Sequence, residues 1–214
     1  MADWDFPHAN GAASGAGTPK FKVILLGNSG VGKTSLFLRI RDDEFTSELP
    51  STIGIDSCTR NLKAENQQIQ LVLWDTAGVE RFRTLTRNFY RSAQAVLLTF
   101  SVEEPTSLYQ LSNWERDTRE YAPTALRFLI GTKTDKPMQV PARTIQGFAR
   151  SHNCEYAFLT SAKTGQGVNE ALQMIGEQLM SSHKAQKYNQ QNSWLEESIH
   201  VNQGQQSLKK NSCC

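Results

Sequence analysis

No run in this 214-residue chain approaches the roughly 20 consecutive apolar residues that cross a bilayer as a helix. Any membrane attachment must come from something other than a span. The N-terminus lacks a charged start followed by an apolar run, so no signal peptide is expected. Cysteine is scarce, with four in all and no C-x-x-C pair or His/Cys cluster. That excludes a zinc ribbon and a disulfide scaffold, and it suits a reduced, cytosolic chain. Cys58 and Cys154 fall in apolar or strand-like stretches and read as ordinary small residues. Excess charge is also lacking: 23 Lys and Arg face 21 Asp and Glu, for a net +2. Nucleic-acid binding by bulk electrostatics is therefore not expected. Even this excess is local, because Lys184, Lys187, Lys209 and Lys210 outnumber Glu196 and Glu197 beyond residue 183.

What is present fits one α/β domain with tails, large enough to bury a core without disulfides or structural metal. Residues 1–19 are rich in Gly, Ala and Ser and read as a disordered arm. Residues 183–214 are rich in Gln, Asn, Ser and Lys and read as a flexible tail. Within 20–182, short apolar runs alternate with helical patterns. Phe21–Leu26, Ile69–Trp74, Ala95–Phe100, Leu126–Ile130 and Glu155–Leu159 are strand candidates. Lys33–Arg41, Arg81–Arg91, Thr106–Glu120, Ala142–His152 and Val168–Met180 are helix candidates. Such alternation gives βαβ units and a mostly parallel sheet with helices on both faces. Asn61–Ile69 leaves no room for a helix, so one hairpin and one antiparallel edge strand are expected, for six strands in all.

Every chemical motif falls at the carboxyl end of one of these strands, where open α/β sheets bind ligands. Gly27-Asn28-Ser29-Gly30-Val31-Gly32-Lys33-Thr34, followed by Ser35, matches the phosphate-binding pattern G-x-x-x-x-G-K-[ST]. The glycines permit a tight turn whose N–H groups face phosphates, and the helix that follows adds its positive end. Lys33 supplies a point charge, and Thr34 a hydroxyl for Mg2+. The plainer alternative is a Gly-rich turn, but the strand before and the helix after are what the motif requires. Asp75, closing the run IQLVLW and opening DTAG, suits a carboxylate that holds the same Mg2+.

With the P-loop and WDTAG, the segments Ser51–Asp56, Thr132–Asp135 and Ser161–Lys163 stand in the order and spacing of the Ras-superfamily GTPases. The chain most resembles a Rab protein through IGID, RFRTLT and FYRSA. The resemblance covers about residues 20–180 and the last two residues. It implies the small-GTPase fold, a bound GTP or GDP, and Mg2+ held by Thr34, Thr52 and Asp75. Lys33, Thr52 and Gly78 would serve hydrolysis, with Thr52 and Gly78 sensing the γ-phosphate and ordering two switch loops. Phe45 would stack on guanine, Lys133 would lay its stem along it, Asp135 would accept from its N–H groups, and Ser161, Ala162 and Lys163 would close the pocket. The resemblance also implies a monomer with an exchange factor, an activating protein, a GDP-dissociation inhibitor, an escort protein and effectors on the two switches.

Three positions depart from the family pattern. Val79 stands where the hydrolytic glutamine is usual, and valine cannot orient a water by hydrogen bonding, so weak intrinsic hydrolysis is expected. Thr132 replaces the asparagine of N-K-x-D; losing one or two hydrogen bonds at about 1–2 kcal/mol would weaken affinity roughly tenfold, so binding is expected to persist with faster release. Ser57 replaces a phenylalanine of an aromatic trio, leaving Trp74 and Phe89. The chain ends in Cys213-Cys214, which resembles the doubly prenylated terminus of Rabs. That would place the protein in the cytosol and on the cytoplasmic face of an intracellular membrane. The leading expectation is a GTP-hydrolysing switch in vesicle traffic. The alternatives are a non-hydrolysing, GTP-bound platform that recruits effectors and, against Asp135, a P-loop kinase or ATPase.

Overall fold

The computed structural model describes residues 17–52, 54–76 and 88–208, with side chains as far as 189. The elements run β1 (Lys20–Leu26), α1 (Lys33–Asp42), β2 (Ile55–Ala64), β3 (Gln67–Thr76), β4 (Ala95–Ser101), α2 (Pro105–Tyr121), β5 (Leu126–Thr132), α3 (Ala142–Ser151), β6 (Tyr156–Leu159) and α4 (Val168–Leu208). They form one six-stranded sheet in the order β2-β3-β1-β4-β5-β6. Only β2 and β3 pair antiparallel, with Ser57 opposite Trp74 and Ala64 opposite Gln67. The remaining neighbours are parallel. The mostly parallel sheet with one antiparallel edge strand is as expected.

Burial explains the order. The central strand β4 is buried at every position, as a strand covered on both faces must be. Along β1, Val23 and Leu25 join one core cluster while Ile24 and Leu26 join the other. This is the period-2 alternation of a strand dividing two layers. The first cluster packs Leu36, Phe37 and Ile40 of α1 with Leu172, Ile175 and Leu179 of α4. The second packs Leu108, Leu111 and Trp114 of α2 with Ile145 and Phe148 of α3. At the edge, β2 buries only Ala64.

Two expectations need comment. The expected helix Arg81–Arg91 lies mostly outside the described residues, which are helical at 88–90. Residues 183–208, expected as a flexible tail, are instead helical, because α4 continues well past Met180 to Leu208. No glycine or proline interrupts residues 177–203, and Lys, Gln, Glu, Ala and Leu all favour a helix. Local propensity carries the helix past the point where packing on the sheet ends. Leu179 and Met180 are buried, whereas Tyr188 is 65% exposed. The last described ties to the body are His183 edge-on to Phe21 at 5.6 Å and an exposed Lys184–Glu65 ion pair.

This contrast is measurable by urea unfolding in a fixed buffer. Leu172→Ala, on the packed part of α4, should lower stability by about 2–5 kcal/mol. Tyr188→Ala, beyond it, should change stability by less than about 0.5 kcal/mol.

Candidate functional site

β1 runs directly into the glycine-rich turn, and backbone sterics there are severe. Gly27 has φ +146°, and a Cβ on it would lie 2.2 Å from the Thr99 carbonyl oxygen of β4. No side chain fits that approach. Gly30 and Gly32 also adopt positive φ, at +77° and +97°. Gly32 is the residue preceding α1 and offers no side-chain cap, so the first N–H groups of the helix keep their anion-binding character.

Lys33 follows, with only 5% exposure. Its ammonium donates to the carbonyls of Gly27 and Asn28, both at 2.8 Å. Burial pushes its pKa down to about 8, against an opposing pull from the Asp75 charge. Thr34 Oγ1 donates to Asp75 Oδ2 at 2.7 Å and lies 2.6 Å from Thr52 Oγ1. With its own proton committed to the carboxylate, Thr34 accepts from Thr52. Asp75 is fully buried, and its Oδ1 has no hydrogen-bond partner. Burial raises its pKa, while the Thr34 hydrogen bond and the Lys33 charge lower it. Two hydroxyls and a carboxylate with an oxygen to spare make a hard, all-oxygen donor set of the kind Mg2+ prefers. No cluster of three His, Cys, Asp or Glu exists among the described residues.

A cleft of about 470 Å³ joins this end to a second group of residues. Thr132 closes β5 with its hydroxyl turned inward, 2.9 Å from the Phe100 carbonyl and in a short contact with the Val31 carbonyl. The single hydroxyl proton is thus spent on holding the turn to the sheet. Lys133 has φ +63°, and its ammonium pairs with Glu103 at 2.9 Å. Asp135 Oδ1 accepts from Ser161 Oγ at 2.6 Å, and this bond is the main reason its carboxyl sits below the usual range.

Most of the expected residues converge on the cleft: Ser29, Gly30, Gly32, Lys33, Thr34, Ser35, Phe45, Thr52, Thr132, Lys133, Asp135, Ala162 and Lys163 line it. Val31, Asp75 and Ser161 lie behind the lining, at 1%, 0% and 0% exposure. They are hydrogen-bonded to Thr132, Thr34 and Asp135 respectively. Gly78, Val79, Cys213 and Cys214 lie outside the described residues. At the edge of the sheet Ser57 is exposed, and Trp74 beside it is half-buried under Lys22 Nζ at 5.2 Å.

Sequence spacing gave no hint of two contacts. Glu103 reaches Lys133 from thirty residues away. Asn28 accepts from Trp114 Nε1 at 2.8 Å and donates to Gln110, anchoring the turn to α2. Only the indole on α2 marks that second contact in the sequence.

A family model described as the Ras family matches residues 22–181. The chain is similar to Ras-related protein Rab-13 of Rattus norvegicus, with 37% identity over 163 residues, 75% of this chain and 80% of the relative. It is similar to Ras-related protein RABE1e of Arabidopsis thaliana at 38% over 162 residues, 74% of each chain. Ras-related protein Rab-18-B of Danio rerio is 38% identical over 164 residues, 75% of this chain and 80% of its own.

Thr132→Val keeps the shape at the end of β5 and removes the hydroxyl. Leaving buried carbonyls of Val31 and Phe100 short of a donor should cost about 1–3 kcal/mol of stability, read as a lowered urea midpoint. An unmoved midpoint would mean that Oγ1 does not tether the turn.

Proposed function

This chain belongs to the Ras family and, within it, to the Rab small GTPases, and on that premise we propose a slow-hydrolysing switch that cycles between GDP and GTP forms to regulate membrane traffic. Members of this family are GTP hydrolases that bind guanine nucleotide with Mg2+, and this chain is one. The residue assignments and the rate are our reading. The observation that carries them is how the residues divide between the two ends of the cleft. Lys33, Thr34 and Thr52 gather at one end, and Asp135, backed by Ser161, stands at the other.

Lys33 neutralises the β- and γ-phosphates, and the N–H groups of Ser29 to Ser35 cradle them. Thr34, Thr52 and Asp75 hold Mg2+, which on binding supplies positive charge against the charge that builds on the phosphate oxygens during transfer. Thr52 reports the γ-phosphate because it lies outside the sheet, on the stretch between α1 and β2, and can leave when that phosphate is lost. Gly78 completes the sensor on the other side. Asp135 accepts from the N1–H and exocyclic amine of guanine, a donor pair that adenine lacks. Phe45, Lys133, Ala162 and Lys163 enclose the base. Val79 leaves the attacking water without a glutamine, so hydrolysis is slow unless an activating protein supplies the missing groups.

The GTP-binding body comprises residues 20–182, between an N-terminal arm of residues 1–19 and the C-terminal segment 183–214. Cys213 and Cys214 carry prenyl groups. No described helix is long and apolar enough to cross a membrane, and two lipid chains would give stable anchoring to an intracellular membrane. Exchange factor, activating protein, dissociation inhibitor, escort protein and effectors follow from the same reading. Val79 also motivates a second reading, a platform held with GTP that does not hydrolyse it.

Single-turnover hydrolysis of preloaded GTP decides between them. The expected result is a slow rate alone, a much faster one with an activator that donates arginine and glutamine, and an increase on Val79→Gln. No hydrolysis in any arm would overturn the cycling switch in favour of the platform.

Lys33 gives the pH dependence. Its folded pKa of about 8 lies below the ordinary 10.5, so its burial is most costly to the nucleotide-free protein below pH 8. That cost is relieved as pH rises through 8 toward 10.5. Bound phosphate favours the ammonium and so raises this pKa. The increase in Tm caused by GDP should therefore shrink from about pH 7 to about pH 9, and in Lys33→Met this component should vanish. A wild-type increase that does not vary with pH would remove Lys33 from the phosphate site.

A further inference from the structure

Thr132 cannot grip the base as an asparagine would, which raises the question of what holds the base end in shape. One side chain outside every motif touches one of its walls and the segment that leads to another. Arg39 lies on the last turn of α1, six residues after Lys33, with its side chain 15% exposed. Its Nε donates to the Ala162 carbonyl at 2.6 Å, and Nη2 donates to the Lys163 carbonyl at 3.2 Å. On its other side, Nη1 donates to the carbonyl and the carboxylate of Asp43, at 2.6 and 2.9 Å. Asp43 caps α1 with φ +58° and stands two residues before Phe45. Ala162, Lys163 and Phe45 all line the cleft.

We infer that Arg39 is a positioning residue for the guanine base, clamping the Ala162–Lys163 wall and the Asp43 approach to Phe45 onto the helix that carries Lys33.

The clamp is specific to arginine. Its guanidinium is a rigid fork with five donors, able to engage two successive carbonyls on one edge and Asp43 on another. A trans peptide sets N–H opposite C=O. Pinning the Ala162 carbonyl to Arg39 therefore turns the Lys163 N–H away from α1 and fixes that peptide plane. Because α1 is a rigid rod whose first turn carries Lys33 and Thr34, the same residue sets the spacing between the phosphate and base ends. Charged hydrogen bonds are stronger than neutral ones and survive partial exposure. The exposed Asp43 carboxylate, at 92%, contributes least.

The inference rests on the nucleotide reading above, and the experiment separates the two. The full chain is loaded with a fluorescent GDP analogue, and release is followed after adding excess GDP, once with Mg2+ and once with a chelator. Arg39→Ala should speed release by about tenfold or more in both conditions. Arg39→Lys, with one point charge for the fork, should recover part of the retention. Asp43→Ala, which keeps the carbonyl acceptor, should change release less than about twofold. Unchanged release from Arg39→Ala overturns the inference. So does an acceleration that disappears when Mg2+ is removed, since the residue would then act through the metal end. Arg39→Gln, closer in volume, carries the same expectation if the alanine variant does not fold. Failure of the wild-type chain to retain GDP would instead overturn the nucleotide reading beneath both.

Discussion

The structure depends on keeping an ammonium and a carboxylate buried, a few side chains apart, at the open end of a parallel sheet. Lys33 is almost wholly inside the protein and Asp75 entirely so. An isolated buried charge is very costly, so each must be surrounded by compensating dipoles or charges. Lys33 takes the Gly27 and Asn28 carbonyls, and Asp75 takes the Thr34 hydroxyl. Gly27, whose carbonyl takes one of them, passes within contact of the Thr99 carbonyl, an approach closed to any side chain. The sheet order follows the same need, since β1 and β3 must be neighbours for Lys33 and Asp75 to share a site.

The cleft is built from groups that line it and groups buried behind them. Val31, Asp75 and Ser161 are hidden, and each is hydrogen-bonded to a residue that lines the cleft. Thr132 shows how a replacement can keep one role and give up another. Its hydroxyl retains the tether between the turn and β4, and it has no proton left for a base. Arg39 strengthens the base end from behind. On the proposed reading, the chain would combine a full phosphate and Mg2+ set with a base end braced from the protein side.

The fold was legible because strand and helix differ in hydrophobic period, and because each motif marks the end of a strand. The two halves of the core follow from alternation along Phe21–Leu26 alone. The low apolar content beyond residue 183 reads as a flexible tail, whereas α4 runs on to Leu208. A run without Gly or Pro keeps a local preference for helix. The residues that gather at the cleft were legible because they stand in motifs of fixed short spacing.

What sequence could not supply was partnership across long separations. Arg39 meets Ala162 across 123 residues, Asn28 meets Trp114 across 86 and Lys133 meets Glu103 across 30. Such contacts obey no spacing rule, because the separation of the partners is set by how many elements intervene. Sequence by itself determined the family and the sheet, because the motifs and the hydrophobic periods are encoded locally. Tertiary structure alone decided which side chains hold the motif residues in place, because a hydrogen bond to a distant carbonyl exists only after the sheet has brought the two together.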